Sequence, residues 1–362
     1  MRFSYIYGIR MGDWIKLLAD CELKIALKCL PRAGAITVAS IVNSFLGSLE
    51  DFRYGRRIEQ VEIEAHPLFI LGHPRSGTTH LHNLLLLDPE FAAPTLPQVF
   101  FPHAFLLTER IISRTWGSRL RKTRGFDNVE LGLGTPQEEE LALCSLGAPS
   151  SYMSLLLPQR VDKYEKCLSL RDLSPDDVER WKSIYVRYLR KLTFRFGRRL
   201  ALKSSPNTAR IRTILELFPE ARFVHISRNP YSLFQSYRTF LIYLYKNYAF
   251  LQEPDIADLD DDILQYYTKM YDAFFADLPL LAKNRFHNLR FEDLEKSPLS
   301  ELKLLYEKLE LPGFQAVTPK IQSYVERTRR YQKNVYPGLT EAEKNKILFS
   351  WKRSFEVWNY EC

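Results

Sequence analysis

A glycine-bounded loop between two apolar segments constrains the fold of this chain more than any other feature. Residues 67–72 form a short apolar run typical of a buried strand, and a helical pattern of leucines begins at Gly77. The segment Gly-His-Pro-Arg-Ser-Gly-Thr-Thr, from Gly72 to Thr79, has the GxxxxG frame of a P-loop but lacks its lysine. Backbone N–H groups of such a loop converge with the positive end of the helix, so the sequence predicts an anion site here.

Short apolar runs alternate with helical patterns along the rest of the chain. This alternation predicts an α/β fold, with a P-loop-like parallel sheet flanked by helices. Residues 90–200 are mainly helical in pattern, and we interpret them as an insertion that lines the functional site within one domain over 61–362. The predicted strands after the first are 200–203, 222–227 and 286–291, and the predicted helices are 211–218 and 231–245.

Residues 1–60 form a separate N-terminal region in the pattern. Residues 33–49 carry no charge, and their apolar side chains recur on one face of a helix, with basic residues on both sides. Such a helix either lies in a membrane interface or packs against the core or a second copy of the chain, so peripheral membrane contact and a homodimer both stay open. We see no signal peptide and no uncharged apolar run of ~20 residues, and we expect a cytoplasmic protein.

The charge balance and the cysteines exclude several classes of function. The chain has 51 Lys+Arg against 43 Asp+Glu over 362 residues, a net charge of +8. This excess suits an anionic ligand or an acidic membrane surface but is too small to indicate nucleic acid. The five cysteines form no CxxC pair, and His80 and His82 point to different faces of a helix. We therefore expect free thiols and no metal.

Two motifs together resemble those of the sulfotransferases that use 3′-phosphoadenosine 5′-phosphosulfate (PAPS). The loop Pro-Arg-Ser-Gly-Thr-Thr is similar to the 5′-phosphosulfate loop of the bacterial-type branch, and Phe-Glu-Asp-Leu at 291–294 agrees with that branch. Arg228 and Ser236 have the spacing of the family's 3′-phosphate clamp. The donor-binding residues that the resemblance implies are Arg75, Ser76, Gly77, Thr78, Thr79, Arg228 and Ser236.

Sulfuryl transfer needs cations near the leaving oxygen and a base near the acceptor hydroxyl. The resemblance assigns the first cation to Arg75 and a second to Lys203, in a segment similar to the family's Lys-Thr-His-Leu-Pro. Ser205 stands where that segment has its catalytic histidine, so the base must lie elsewhere. The acidic turn after Pro136 supplies our candidates, Glu138 first and Glu140 second. The rivals are His80, His82 and His103.

A basic segment near residue 330 resembles the late loop that closes over the 3′-phosphate in this family. It implies donor contacts from Arg330 and Lys333, although a solvated basic helix face explains the same residues. The resemblance predicts transfer of a sulfuryl group from PAPS to a hydroxyl of a small apolar acceptor such as a sterol, lipid or phenol. The alternatives are a P-loop kinase or NTPase and a non-catalytic nucleotide- or membrane-binding module.

Overall fold

Five parallel strands form the central sheet of the computed structural model, which describes residues 5–63, 66–116, 132–247, 251–328 and 336–361. The strand order is β2-β3-β1-β4-β5, so β1 lies in the middle, between β3 and β4. The predicted parallel sheet is thereby confirmed, with β2 as an additional edge strand. The strands are β1 (Leu68–Leu71), β2 (Phe91–Ala92), β3 (Arg199–Leu202), β4 (Arg222–Ser227) and β5 (Phe286–Arg290).

Helices cover both faces of this sheet in the described part of the chain. Short 3-10 turns lie at Tyr5–Gly8 and Ser205–Ala209. The α-helices are α1 (Met11–Asp20), α2 (Leu30–Glu59), α3 (Thr78–Leu85), α4 (Leu96–Phe100), α5 (Phe105–Trp116), α6 (Glu139–Ser145), α7 (Met153–Leu156), α8 (Val161–Glu165), α9 (Pro175–Phe196), α10 (Ile211–Leu217), α11 (Pro230–Asn247), α12 (Leu259–Asp277), α13 (Phe291–Lys296), α14 (Pro298–Lys308), α15 (Phe314–Thr328) and α16 (Glu341–Trp358).

Alternate residues of each strand belong to two different cores. Phe69 and Leu71 of β1 pack with α9, α11, α12 and α16, whereas Leu68 and Ile70 pack with α3, α14 and α15. Side chains alternate between the faces of a sheet, and a parallel sheet covered on both faces needs apolar residues on each. This explains why β1 appears in the sequence as a continuous apolar run.

The predicted insertion is helical, and its longest helix, α9, covers part of one sheet face. The hydroxyl of Ser174 caps the start of α9 by accepting a hydrogen bond from the backbone N–H of Asp177. Gly197, in the left-handed region with φ of 60°, ends it. Trp181 and Tyr185 of α9 are buried in the larger core, so this helix packs with the sheet.

The N-terminal helices pack on this insertion. The carboxylate of Glu50, near the end of α2, accepts hydrogen bonds from the N–H groups of Leu106 and Leu107 at the start of α5. It also pairs with the ammonium group of Lys191 in α9, with Oε1 and Nζ 2.5 Å apart. The face of α2 that carries Glu50 is therefore a packing face.

Candidate active site

Three residues of the loop between β1 and α3, which are Gly72, Arg75 and Gly77, have a positive φ. Gly72 and Gly77 have φ of +151° and +105°. A Cβ atom on Gly77 would lie 2.3 Å from Cδ2 of Phe291, so no larger residue fits there. Arg75 also adopts a left-handed φ of 75°, which costs a non-glycine residue on the order of 1–3 kcal/mol. Strain of this kind concentrates at functional sites.

The same loop has polar groups that can bind a ligand. No side chain caps the N-terminus of α3, where Gly77 is the N-cap residue. Within the described residues, the buried hydroxyl of Ser76 has no hydrogen-bond partner. The first N–H groups of a helix lack partners inside the helix and carry its positive end. The residues present therefore fit the phosphosulfate end of PAPS, with Ser76 to Thr79 as its cradle.

The two predicted donor motifs contact each other. Nε of Arg75 donates to Oγ of Ser236 at 3.2 Å, and Nη1 of Arg228 donates to the backbone oxygen of Arg75 at 2.8 Å. The hydroxyl groups of Ser236 and Tyr336 lie 2.9 Å apart. The fold thus joins a residue of the P-loop to both members of the predicted 3′-phosphate clamp and adds Tyr336.

The electrostatics of this cluster suit an anion. Burial lowers the pKa of Arg228, and the positive charge of Arg75 lowers it further, although its carboxylate and tyrosine neighbours act in the opposite direction. The guanidinium carbon of Arg228 also lies 4.8 Å from the centre of the Phe291 ring. Two partly desolvated cations beside a helix N-terminus favour a ligand that brings more than one negative charge.

A second cluster forms at the end of the neighbouring strand, β3. Nζ of Lys203 lies 2.5 Å from Oε1 of Glu138, and the hydroxyl of Tyr152 donates to the other oxygen of that carboxylate. Burial and the nearby negative charge of Glu138 raise the pKa of Tyr152, so its hydroxyl remains a donor. The Lys203 side chain is 4% exposed and the Glu138 side chain 23%, so Glu138 keeps access to solvent.

The two clusters meet through the sheet. Lys203 follows β3, the P-loop follows β1, and these strands are parallel neighbours. The N–H of Gly72 donates to the hydroxyl of Thr208 at 2.8 Å, which ties the P-loop to the segment after Lys203. Ligand sites of open α/β sheets lie at the carboxyl ends of the strands. Arg330 and Lys333 lie outside the described residues.

The three successive glutamates have three different environments. Glu138 precedes α6 and faces Lys203, whereas Glu140 is fully buried and accepts from Nη1 and Nη2 of Arg210 at 2.8 and 3.1 Å. Glu139 accepts from Nδ2 of Asn207 at 2.6 Å, and burial raises its pKa to about 7. Glu140 is therefore held in a fully buried ion pair, while Glu138 pairs with Lys203 and keeps contact with solvent.

Two of the three histidines considered as alternative bases, His82 and His103, form hydrogen bonds with buried backbone oxygens. Nε2 of His82 lies 3.0 Å from the backbone oxygen of Ala201, and Nε2 of His103 lies 3.2 Å from that of Ser145. Burial lowers the pKa of each ring to about 3, and nearby cations contribute. Burial also lowers the pKa of His80. His82 and His103 thus serve the packing of buried backbone.

The model of the sulfotransferase family matches residues 67–316 of the chain. The chain belongs to the sulfotransferase family. The omega-hydroxy-beta-dihydromenaquinone-9 sulfotransferase Stf3 of Mycobacterium bovis is 33% identical over 354 residues, which cover 98% of this chain and 90% of the relative. Its counterpart in Mycobacterium tuberculosis matches equally. The resemblance to the bacterial-type branch is confirmed, and the similarity extends into the N-terminal region.

Solved sulfotransferases share the fold. Sulfotransferase STF9 from Mycobacterium avium aligns with a TM-score of 0.73 at 17% identity, over 98% of this chain and 93% of that one. Sulfotransferase STF1 from Mycobacterium tuberculosis aligns with a TM-score of 0.66 at 17% identity, over 95% and 91%. These structures show the α/β fold. The family match and the 33% identical relative show a sulfotransferase, and they give no support to a kinase, an NTPase or a non-catalytic module. In the described ranges no group of three or more His, Cys, Asp or Glu side chains could hold a metal ion, and metal independence stays a prediction.

Proposed function

We propose that this sulfotransferase moves the sulfuryl group of PAPS to a hydroxyl of a small apolar acceptor and releases adenosine 3′,5′-bisphosphate (PAP). The observation that carries the proposal is the contact between the P-loop and the Arg228–Ser236 motif through Arg75. A donor with a 5′-phosphosulfate and a separate 3′-phosphate needs two anion sites side by side. ATP has no 3′-phosphate and would leave the Arg228–Ser236 site unused.

Each donor residue has a place in this proposal. The N–H groups of Gly77, Thr78 and Thr79, with the hydroxyl of Ser76, bind the 5′-phosphosulfate. Arg228 and Ser236 bind the 3′-phosphate with help from Tyr336. Arg75 lies between both groups, because its side chain contacts Ser236 while its backbone belongs to the P-loop. Arg330 and Lys333 stay predicted contacts of the 3′-phosphate.

Glu138 is the proposed general base. The acceptor oxygen forms a bond to sulfur while the bond from sulfur to the 5′-phosphate oxygen of PAP breaks, and the acceptor proton passes to Glu138. Negative charge grows on the departing oxygen, where Lys203 and Arg75 stabilise it as fixed cations. Glu140 is the weaker candidate because Arg210 holds both of its oxygens in the interior. Tyr152 is a positioning residue that holds the second oxygen of Glu138.

The proposed acceptor is a lipid-like alcohol, with sterols and phenols as members of the same apolar class. The name of the 33% identical mycobacterial relative gives that enzyme a hydroxylated dihydromenaquinone as its acceptor, which supports this choice. A cytoplasmic location and peripheral contact with a membrane are part of the proposal. Incubation with radiolabelled PAPS and a panel of lipid alcohols, sterols and phenols tests it. Label in a lipid product supports the proposal, and label in none contradicts it.

Replacing either fixed cation should slow the reaction. We expect Arg75→Ala and Lys203→Ala each to lower kcat more than tenfold, since each removes a charge that stabilises the transition state. The measurement is the initial rate of sulfated product formation at saturating PAPS. Lys303→Ala, which removes an exposed lysine of α14, is the matched control and should keep the wild-type rate. Near-normal rates in both test variants would refute the assigned roles.

A further inference from the structure

The apolar face of helix α2 is exposed on the surface of the protein. We call this face the ridge; it comprises Val38, Ile41, Val42, Phe45, Leu49 and Phe52, whose exposed fractions run from 45% at Leu49 to 91% at Phe52. The residues repeat every three to four positions and therefore form one continuous strip along the helix. The opposite, buried face carries mainly small or polar residues: Ala33, Ile36, Ser40, Asn43, Gly47 and Glu50.

Hydrogen bonds fix the helix in this orientation. Nδ2 of Asn43 donates to the backbone oxygen of Tyr7 at 2.6 Å, and the indole N–H of Trp14 donates to Oγ1 of Thr37 at 2.9 Å. Glu50 adds its ion pair with Lys191. Rotating the ridge inward would expose apolar core residues and break these buried polar contacts, which is costly. The ridge is therefore a stable feature of the surface.

The segment Leu27–Glu59 is long and apolar enough, by length and composition, to be a candidate membrane span among the described residues. Its packing argues for another role. The buried face of α2 contacts α1, α5, α9 and the turn at Tyr5–Gly8, and it stays in contact from Ala33 to Ile58. A helix that packs on the rest of the domain along its whole length lies on the protein surface and does not cross a membrane. Only the ridge is then available to lipid.

Cations flank the ridge. Arg53, Arg56 and Arg57 are exposed at its C-terminal end, next to Phe52. Lys24 and Lys28 are exposed beyond its N-terminal end, each paired with a carboxylate, Glu22 and Glu253. No charge stands between residues 33 and 49. An apolar strip edged by arginines is complementary to a membrane whose headgroups are anionic.

We propose that the ridge of α2 inserts into the headgroup–acyl boundary of an anionic membrane, with the helix parallel to the surface. A second copy of the chain is the competing occupant. Two ridges packed side by side in parallel would place three arginines against the same three, and an antiparallel pair would place them near Lys24 and Lys28. Like charges oppose the parallel arrangement, and in the antiparallel one the lysines already have Glu22 and Glu253 as partners, so the arginines gain no carboxylate of their own. Anionic headgroups would pair with the three arginines in either orientation of the chain. This proposal rests on the proposed lipid-like acceptor, because it names the surface through which the enzyme would meet a lipid.

Vesicle co-sedimentation tests the proposal without any turnover. We expect the full chain to bind vesicles of phosphatidylglycerol and phosphatidylcholine at least tenfold more tightly than vesicles of phosphatidylcholine alone. The double variant Phe45→Ser/Phe52→Ser should lose at least tenfold of that binding. Phe349→Ser removes an 88% exposed phenylalanine of α16 and is the matched control, with wild-type binding expected. Arg53→Gln/Arg56→Gln should reduce the preference for the anionic vesicles.

Several outcomes would overturn the proposal. They are absence of vesicle binding by the wild type, equal binding by the wild type and the double phenylalanine variant, and a wild-type dimer that this variant dissociates. Circular dichroism and PAP binding on the same samples show that the variants are folded. Because PAP binding is measured separately, failure of the membrane proposal and failure of the proposed sulfuryl chemistry give different results.

Discussion

Glu138→Gln lowers kcat at least ~100-fold in the proposed mechanism and leaves PAP binding unchanged. A general base contributes roughly 10²–10⁴ in rate, and an amide accepts no proton from the acceptor hydroxyl. Gln keeps the size of the side chain and one oxygen that can accept from Lys203 or Tyr152, so the local structure should persist. The measurements are kcat with saturating PAPS and acceptor, and the affinity for PAP.

Two comparisons sharpen that test. Glu179→Gln removes an exposed carboxylate of α9 and should leave kcat unchanged. Tyr152→Phe removes only the hydrogen bond to the second oxygen of Glu138 and should cost less than Glu138→Gln while leaving PAP affinity intact. A Glu138→Gln enzyme with more than about half of the wild-type kcat would contradict the assignment of the base.

Arg210→Met is expected to lower the free energy of unfolding by about 3–5 kcal/mol, because it leaves the buried Glu140 carboxylate without its cation. Both side chains are fully buried, and the guanidinium also donates to the backbone oxygens of Cys167 and Leu168 at 2.7 and 3.0 Å. Its carbon lies 5.1 Å from the centre of the Trp181 ring. A loss of this size is a large part of the ~5–15 kcal/mol that typically stabilises a domain.

The matched control is two residues further along the chain. Arg212 also forms an ion pair, with Asp277, but its side chain is mostly exposed, and Arg171 remains beside the same carboxylate. Arg212→Met should therefore cost less than about 1 kcal/mol. Urea unfolding of both variants, followed by circular dichroism, decides the matter. Equal losses of unfolding free energy in the two variants would show that burial does not increase the contribution of the Arg210–Glu140 pair to stability.

The sheet and the donor motifs were predictable because they depend on local sequence. A continuous apolar run identifies β1, whose side chains are buried on both faces. Shorter apolar segments identify β3, β4 and β5. Strand β2 has only two residues, too few to show any period. The P-loop and the Arg228–Ser236 spacing are local as well, and in the structure the two segments contact each other.

The site residues that sequence reasoning missed depend on distant contacts. Tyr152, just before α7, contacts Glu138 across 14 positions of the chain, and Tyr336 contacts Ser236 across 100 positions. The sequence ranks Glu138 before Glu140 but does not show their different partners, Lys203 and Arg210, which lie far along the chain.

The amphipathic pattern of α2 was correctly predicted, but not its orientation. Apolar periodicity shows that a helix has two faces, and the usual expectation places the apolar face inside. Here Asn43 and Glu50 hold the polar face against the domain, through partners at Tyr7, Leu106 and Lys191. A pattern within one helix carries no information about partners outside it.

Calorimetric titration of the purified chain with PAP tests the central claim, that two adjacent anion sites bind one nucleotide with phosphates at its 3′ and 5′ positions. We predict saturable binding to the wild type, at least tenfold weaker binding to Arg228→Ala, and weaker binding of ATP than of PAP. Absence of heat with PAP, or equal affinities for PAP and ATP, would contradict the claim.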